Sequence, residues 1–252
     1  MSINENEMIP ASDEDLFKQP PPEEDCPICF LRMPSLDSGH RYYTCCGKVI
    51  CGGCVYANRL IDLNKQLCPF CRSLAPSSDE EIVGRMKKRI KAEDALAVYG
   101  LGCLYSDGLY GLPQNRTKAI EIWHRAGQMG YTDSYHNIGN AYLHGNGVQE
   151  DMKKANRYWE LAAMGGDASA RYKLGDYEEK VGNLDRALKH FMVAVEGGEK
   201  VAIEEIRKLF MDGHATKDDY AKALRAHQSY LNEIKSHQRD EAAACHEMYT
   251  YY

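Results

Sequence analysis

The chain has 252 residues, enough for one large domain or two to three small ones, and 44% of them are hydrophobic, so a sizeable core is available. A formal charge of −6 argues against a dedicated nucleic-acid binder. No apolar run approaches the roughly 18 residues of a membrane span, and the N-terminus MSINENEMIPASDEDLFKQPPPEED lacks the basic start and apolar stretch of a secretory signal. The expected compartment is therefore the cytoplasm or the nucleus, where thiols stay reduced.

In chain order, residues 1–23 carry many acids, three consecutive prolines and little apolar surface, and they read as a disordered acidic tail. Residues 24–74 hold eight of the ten cysteines, between Cys26 and Cys71. In a reducing compartment such clustering reads as metal ligation rather than disulfides. Residues 75–93 form a linker and connecting helix. Ser78 ahead of Asp79, Glu80 and Glu81 is an N-cap signal, and Ile82, Met86 and Ile90 recur every four residues. The basic residues between Arg85 and Lys91 read as the solvated face of that helix.

From about 94 onward the sequence repeats. LGCLYSDG (101–108) lies over IGNAYLHG (138–145), so Gly102, Tyr105 and Gly108 match Gly139, Tyr142 and Gly145. Ala119, Trp123, Ala126 and Gly130 match Ala155, Trp159, Ala162 and Gly166 in the same way, and Gly175, Ala187, Phe191, Ala194 and Gly198 fill these places in a third copy. A degraded fourth copy sets Phe210, Gly213, Ala223 and His227 loosely in the slots. The units are 94–131, 132–167, 168–198 and a degenerate 199–238 that ends in a capping helix; 239–252 reads as a disordered tail. Self-similarity at this period signals a solenoid, with two short helices per unit. Gly139 is small where helices would cross closely, and Trp159 would fill the space it opens. Gly145 and Gly147 suit a loop needing positive φ, and Gly165-Gly166 a helix C-terminus. One unit cannot bury its apolar face alone, so stacking is compulsory.

These units resemble the SEL-one-like repeats, relatives of the tetratricopeptide repeats, through L/I-G-x-x-Y-x-x-G followed by K-A, W and A-x-x-G. The resemblance covers about 94–231. It implies an all-helical superhelix that binds a protein substrate or adaptor.

The ligand candidates in the cysteine-rich segment are Cys26, Cys29, Cys45, Cys46, Cys51, Cys54, Cys68 and Cys71, forming three C-x-x-C pairs and one adjacent pair. Zinc takes four ligands in a tetrahedron, and a C-x-x-C turn sets two thiolates at the right angle for one ion. Eight ligands mean two Zn2+ ions in closed, structural sites. A segment of roughly fifty residues has too little core to fold unaided, and structural zinc supplies on the order of 10–16 kcal/mol of apparent folding free energy.

The spacing resembles the RING finger family. The resemblance implies a small α+β cross-brace module, with Cys26, Cys29, Cys51 and Cys54 on one zinc and Cys45, Cys46, Cys68 and Cys71 on the other. Lys48 stands where the commonest family pattern has a histidine, so Cys45 supplies the missing ligand in an all-cysteine variant; His40 is the rival ligand. Lys48 is also placed to offset part of the thiolate charge. The family's ubiquitin-ligase members form an apolar groove for the ubiquitin-conjugating enzyme at the positions of Ile28 and Pro69. Leu60, Ile61 or Leu63 would add the groove's bulky residue from a short helix after Cys54, and Arg72 would contact the enzyme and its ubiquitin. Cys103 reads as core and Cys245 as unstructured tail, which leaves no nucleophile, so catalysis would be by positioning. The implied function is a ubiquitin ligase with a helical substrate-recruiting solenoid. The alternative is a non-catalytic protein-interaction scaffold with a structural zinc module.

Overall fold

The structure is a computed structural model that describes residues 11–18, 20–21, 25–35, 39–61 and 67–252. Its cysteine-rich part is built from two copies of one turn with a hairpin and a helix between them. In the first turn the Cys26 N–H donates to Leu31 O at 2.9 Å and the Phe30 N–H to Cys26 O at 2.9 Å. In the second, the Cys68 N–H donates to Ser73 O at 2.8 Å and the Arg72 N–H to Cys68 O at 3.0 Å. The strands β1 (His40–Tyr43) and β2 (Lys48–Cys51) pair antiparallel, with His40 opposite Cys51 and Tyr43 opposite Lys48. The turn between them needs a left-handed residue, supplied by Gly47 at φ +72°. The helix α2 (Gly52–Ile61) follows β2 directly.

The helical part starts with α3 (Asp79–Lys91), whose N-terminus is capped by the Ser78 side chain accepting from the Glu81 N–H. Val83 and Met86 bury the inner face of α3 against Leu104. Four helix pairs follow: α4 (Ala95–Asp107) with α5 (Arg116–Gln128), α6 (Ser134–His144) with α7 (Met152–Met164), α8 (Ala168–Lys180) with α9 (Leu184–Glu196), and α10 (Val201–Met211) with α11 (Lys217–Ile234). Asp94, Asn115, Asp151 and Asp167 each cap a helix by accepting a backbone N–H near its start.

One contact recurs through the stack. A Cβ on Gly102 would lie 2.5 Å from Trp123, one on Gly139 would lie 2.5 Å from Trp159, and one on Gly175 would lie 2.6 Å from Phe191. The glycine on the first helix of each pair lets the ring of the second lie against bare backbone. Trp123, Trp159 and Phe191 are buried, as are the alanines at the helix crossings, Ala119, Ala126, Ala155, Ala162, Ala187 and Ala194. Among the described residues, no helix is long and apolar enough to cross a membrane.

Described residues 11–17 and 237–251, within segments read as disordered or capping, pack onto the fold. Asp13–Leu16 is a short helix, α1, capped by Ser12, and Leu16 is fully buried in the same core as Trp159, Ala163 and Leu174. The Ala11 N–H donates to Glu160 at 3.3 Å, Asp13 pairs with Arg186 at 2.6 Å, and the Phe17 and His190 rings lie 4.7 Å apart. At the other end, α12 (His237–Cys245), a 3-10 turn (Glu247–Tyr249) and the residues after it bury Arg239, Ala242, Tyr249 and Tyr251. Cys245 ends this helix instead of lying in an unstructured tail. Composition describes what a segment can bury by itself. It is silent about partners supplied by residues more than 140 positions away, which is where Leu16 and Ala11 find theirs. Residues 1–10, 19 and 22–23 of the expected tail lie outside the described residues.

The cysteine-rich part is tied to both ends of the helical stack. Tyr42 on β1 donates to Asp94 at 2.9 Å, and Asp94 also accepts from Arg89 of α3 at 2.9 Å. Burial and the Asp94 contact push the Tyr42 phenol well above its ordinary value. Arg85 pairs with Glu81 at 2.6 Å and donates to Leu74 O at 2.8 Å. Two members of the basic run therefore hold parts of the chain together.

Candidate metal centres

The two turns carry two cysteines each, and the hairpin and α2 carry the other four. The chain interleaves them. Cys26 and Cys29 meet Cys51 and Cys54, while Cys45 and Cys46 meet Cys68 and Cys71, with the four sulfurs of each group within 4.8 Å of one another. His40, the rival ligand, belongs to neither group; it sits on β1 opposite Cys51. Among the described residues these are the two clusters able to hold a metal ion.

The spacing fits a tetrahedral ion. Zinc–sulfur bonds of about 2.3 Å place tetrahedral sulfurs about 3.8 Å apart. The sulfur separations are 3.9 Å for Cys26–Cys54, 3.7 Å for Cys29–Cys51, 3.8 Å for Cys46–Cys68 and 3.4 Å for Cys45–Cys71. A disulfide needs about 2.05 Å, and all ten cysteines are free. Crowding sets the thiols against one another. Hydrogen bonds to Cys51 and Cys54 hold Cys26 far below the ordinary thiol value, and the contact with Cys26 pushes Cys54 far above it. A divalent cation removes this conflict, because all four sulfurs can then be thiolates. Each group can hold one metal ion.

The surroundings of the two groups differ. In the first, Cys26, Cys51 and Cys54 are buried; in the second, Cys68 is buried and Cys71 is exposed. Backbone N–H groups face sulfur in both, with Cys51 donating to Cys26 at 3.5 Å and Phe70 to Cys68 at 3.4 Å. Lys48 lies beside the second group. Its backbone N–H faces the Cys46 thiol, while its ammonium lies 5.5 Å from the centre of the Phe70 ring.

Of the residues expected to meet a partner, Ile28 sits inside the first turn and is 38% exposed, and Pro69 sits half-buried inside the second. Leu60 and Ile61 end α2 with 56% and 85% of their surface in solvent; Leu63 lies outside the described residues. Arg72 is exposed at the end of the second turn, with φ +62°. Sequence reasoning missed Phe30, which is 76% exposed at the matching place of the first turn, and Arg239, which reaches the first cysteine group from α12. The signal for Phe30 was its place directly after a C-x-x-C pair. Arg239 carried no local signal.

Comparison with known proteins agrees with the helical part. The Sel1 repeat family model matches residues 95–131 and 132–167. Chitin synthase regulatory factor 4 of Schizosaccharomyces pombe is 28% identical over 110 residues, covering 43% of this chain and 17% of its own length. The ERAD-associated E3 ubiquitin-protein ligase component HRD3B of Arabidopsis thaliana is 30% identical over 98 residues, covering 38% of this chain and 15% of its own length. The chain thus spans less than a fifth of these curated relatives. A Sel1 repeat protein from Oxalobacter formigenes shares the fold, with a TM-score of 0.54 at 24% identity over 76% of this chain and 73% of that one. With Gly102, Gly139 and Gly175 each seating the ring of a partner helix, the helical part of this chain is a solenoid of helix pairs, the first two of which match the Sel1 repeat model.

Proposed function

We propose that the chain is a RING-type ubiquitin ligase whose cysteine-rich head is braced by two zinc ions and whose Sel1 solenoid recruits a protein substrate or adaptor. The interleaving of the cysteine groups carries this reading: the first pair joins the third, and the second joins the fourth. Zinc, when bound, supplies a rigid cross-link between loops and leaves no position for water or substrate. Ile28 and Pro69, with Leu60 and Ile61 from α2, offer apolar surface to a ubiquitin-conjugating enzyme. Arg72 contacts that enzyme and its ubiquitin. Transfer follows from holding the charged enzyme in a reactive orientation beside a substrate lysine, without a covalent intermediate on this chain. A relative named as a component of a ubiquitin ligase supports a place for such a solenoid beside ligase chemistry. The reduced thiols suit the cytoplasm or the nucleus.

A second reading is a scaffold without transfer activity. It is favoured by the C-terminal segment, which lies along α2 with Tyr249 against Tyr56 and Arg59. Incubation with activating enzyme, ubiquitin and a panel of conjugating enzymes separates the two. Self-ubiquitination by zinc-loaded chain supports the ligase. Two zinc ions per chain with no transfer from any enzyme leaves the scaffold.

A further inference from the structure

The first cysteine group raises a charge problem. Four thiolates and one Zn2+ carry a formal charge of −2. At the second group exposed Cys71 leaves that charge open to water. At the first group Cys26, Cys51 and Cys54 are buried, and burying net charge without a partner is costly.

A cation from the far end of the chain faces this buried group. Arg239 on α12 is 1% exposed, and its Nη2 lies 3.7 Å from Cys29 Sγ. The same guanidinium donates to Ile234 O at 2.6 Å, Arg32 O at 2.8 Å and Leu31 O at 3.4 Å. These carbonyls fix its plane, and two of them belong to the turn that carries Cys26 and Cys29. Gln238 reaches Cys54 at 3.9 Å. A Cβ on Gly53 would lie 3.0 Å from the Arg239 backbone nitrogen, so α2 and α12 touch backbone to backbone beside Cys54. Ala242 and Tyr249 share a buried cluster with Cys26, Ile50, Cys51, Cys54 and Val55.

We infer that Arg239 is the counter-charge of the first metal centre, and that metal occupancy there and docking of the C-terminal segment 237–251 are coupled. The inference rests on the metal-binding reading. Coupling is reciprocal: whatever factor Arg239 adds to metal affinity, the metal adds to docking of α12. Loss of the metal would leave a buried guanidinium beside protonated thiols and release the segment that covers α2. The second centre is not reached by Arg239 and is expected to stay independent of the C-terminus. Arg239 is a positioning residue for the centre and not a ligand.

The test uses the full-length chain, zinc alone as the probe, and a chromophoric chelator in competition. Arg239→Gln keeps hydrogen-bond donors for the carbonyls and removes the charge. Loss of a partner next to the ligands lowers metal affinity about 10–100-fold; that loss is expected for one of the two ions. Cysteine alkylation read by mass spectrometry should then label Cys26, Cys29, Cys51 and Cys54 early, with Cys45, Cys46, Cys68 and Cys71 still protected. Arg239→Lys, which restores charge without the planar fork, should recover part of the affinity. In wild-type chain, chelation should raise hydrogen exchange across 237–251. Unchanged affinity at both centres in Arg239→Gln, or unchanged exchange on chelation, overturns the inference and leaves the metal reading standing. Wild-type chain that holds fewer than two zinc ions overturns both.

Discussion

Phe30 and Arg72 hold the same left-handed backbone conformation, φ +57° and +62°, each four residues after the first cysteine of its turn. Both N–H groups donate to that cysteine's carbonyl. Left-handed geometry costs a non-glycine residue roughly 1–2 kcal/mol, and the turn imposes it twice to bring the two sulfurs of the pair together. The side chains at these two places project into solvent beside the apolar residues Ile28 and Phe70.

Arg72→Ala is therefore a clean probe of transfer. Alanine bears the same left-handed strain as arginine, so the turn and the zinc content should stay as in wild type. A hydrogen bond to a charged group contributes about 1.5–3 kcal/mol, so ubiquitin discharge from the conjugating enzyme should slow about tenfold or more. Discharge at the wild-type rate, with two zinc ions bound, would remove Arg72 from the proposed contact.

The stacking contact between Gly139 and Trp159 gives a test of the solenoid. Trp159→Ala should cost about 3–5 kcal/mol, the usual range for truncating a buried aromatic. Gly139→Ala forces a methyl against the indole and should cost about 1–3 kcal/mol. Because both act on one contact, they should couple. Adding Trp159→Phe to Gly139→Ala should recover part of the loss, measured by urea denaturation of the single and double variants. Strict additivity would mean that the close approach is not the source of the cost.

The repeats were legible because each glycine is followed by a ring 16 to 21 residues later, so one physical relationship is written three times. The cysteine grouping was legible for a related reason. Two residues of spacing bring paired sulfurs to one ion, and the interleaving followed from a family resemblance. The ends were not legible. Leu16 and Phe17 form a two-residue apolar pair among acids, with no periodicity. The partners of this segment, Glu160 for Ala11, Arg186 for Asp13 and His190 for Phe17, lie far along the chain and carry no mark of the pairing. Arg239 is equally unmarked, since an arginine in a polar nine-residue helix looks like any exposed one. Fixed-period contacts are visible in one dimension, whereas single long-range anchors appear only once the chain is folded.

Leu16 tests the N-terminal anchor. A fully buried leucine truncated to alanine costs about 2–5 kcal/mol, part of which can be relieved here by local release of the segment. Leu16→Asp should detach residues 11–17 outright. Hydrogen exchange across 11–17 should rise, with a smaller rise along α7 and α9, where Glu160 loses Ala11 and Arg186 loses Asp13. Exchange unchanged across 11–17 would show that the segment is held by something other than this side chain.

His190 gives the helical stack an acid sensitivity of predictable sign. The imidazole is fully buried on α9, neither ring nitrogen has a hydrogen-bond partner among the described residues, and burial with Arg171 and Arg186 nearby lowers its pKa to about 3. In the unfolded chain a histidine titrates near 6.5. Between these values the unfolded state binds a proton that the folded state refuses, so stability falls as pH drops below about 6.5 and keeps falling toward about 3. The slope is about 1.4 kcal/mol per pH unit for one such group, so about 2 kcal/mol is lost by pH 5. Acid also strips metal from thiolates, so the quantity to measure is a difference. His190→Phe keeps the ring against Phe17 and removes the titration. Its unfolding free energy should fall less than that of wild type between pH 7 and pH 5, by about the same 2 kcal/mol. Parallel pH profiles for the two chains would mean that His190 takes up its proton without unfolding, through water reaching the ring from the Phe17 side.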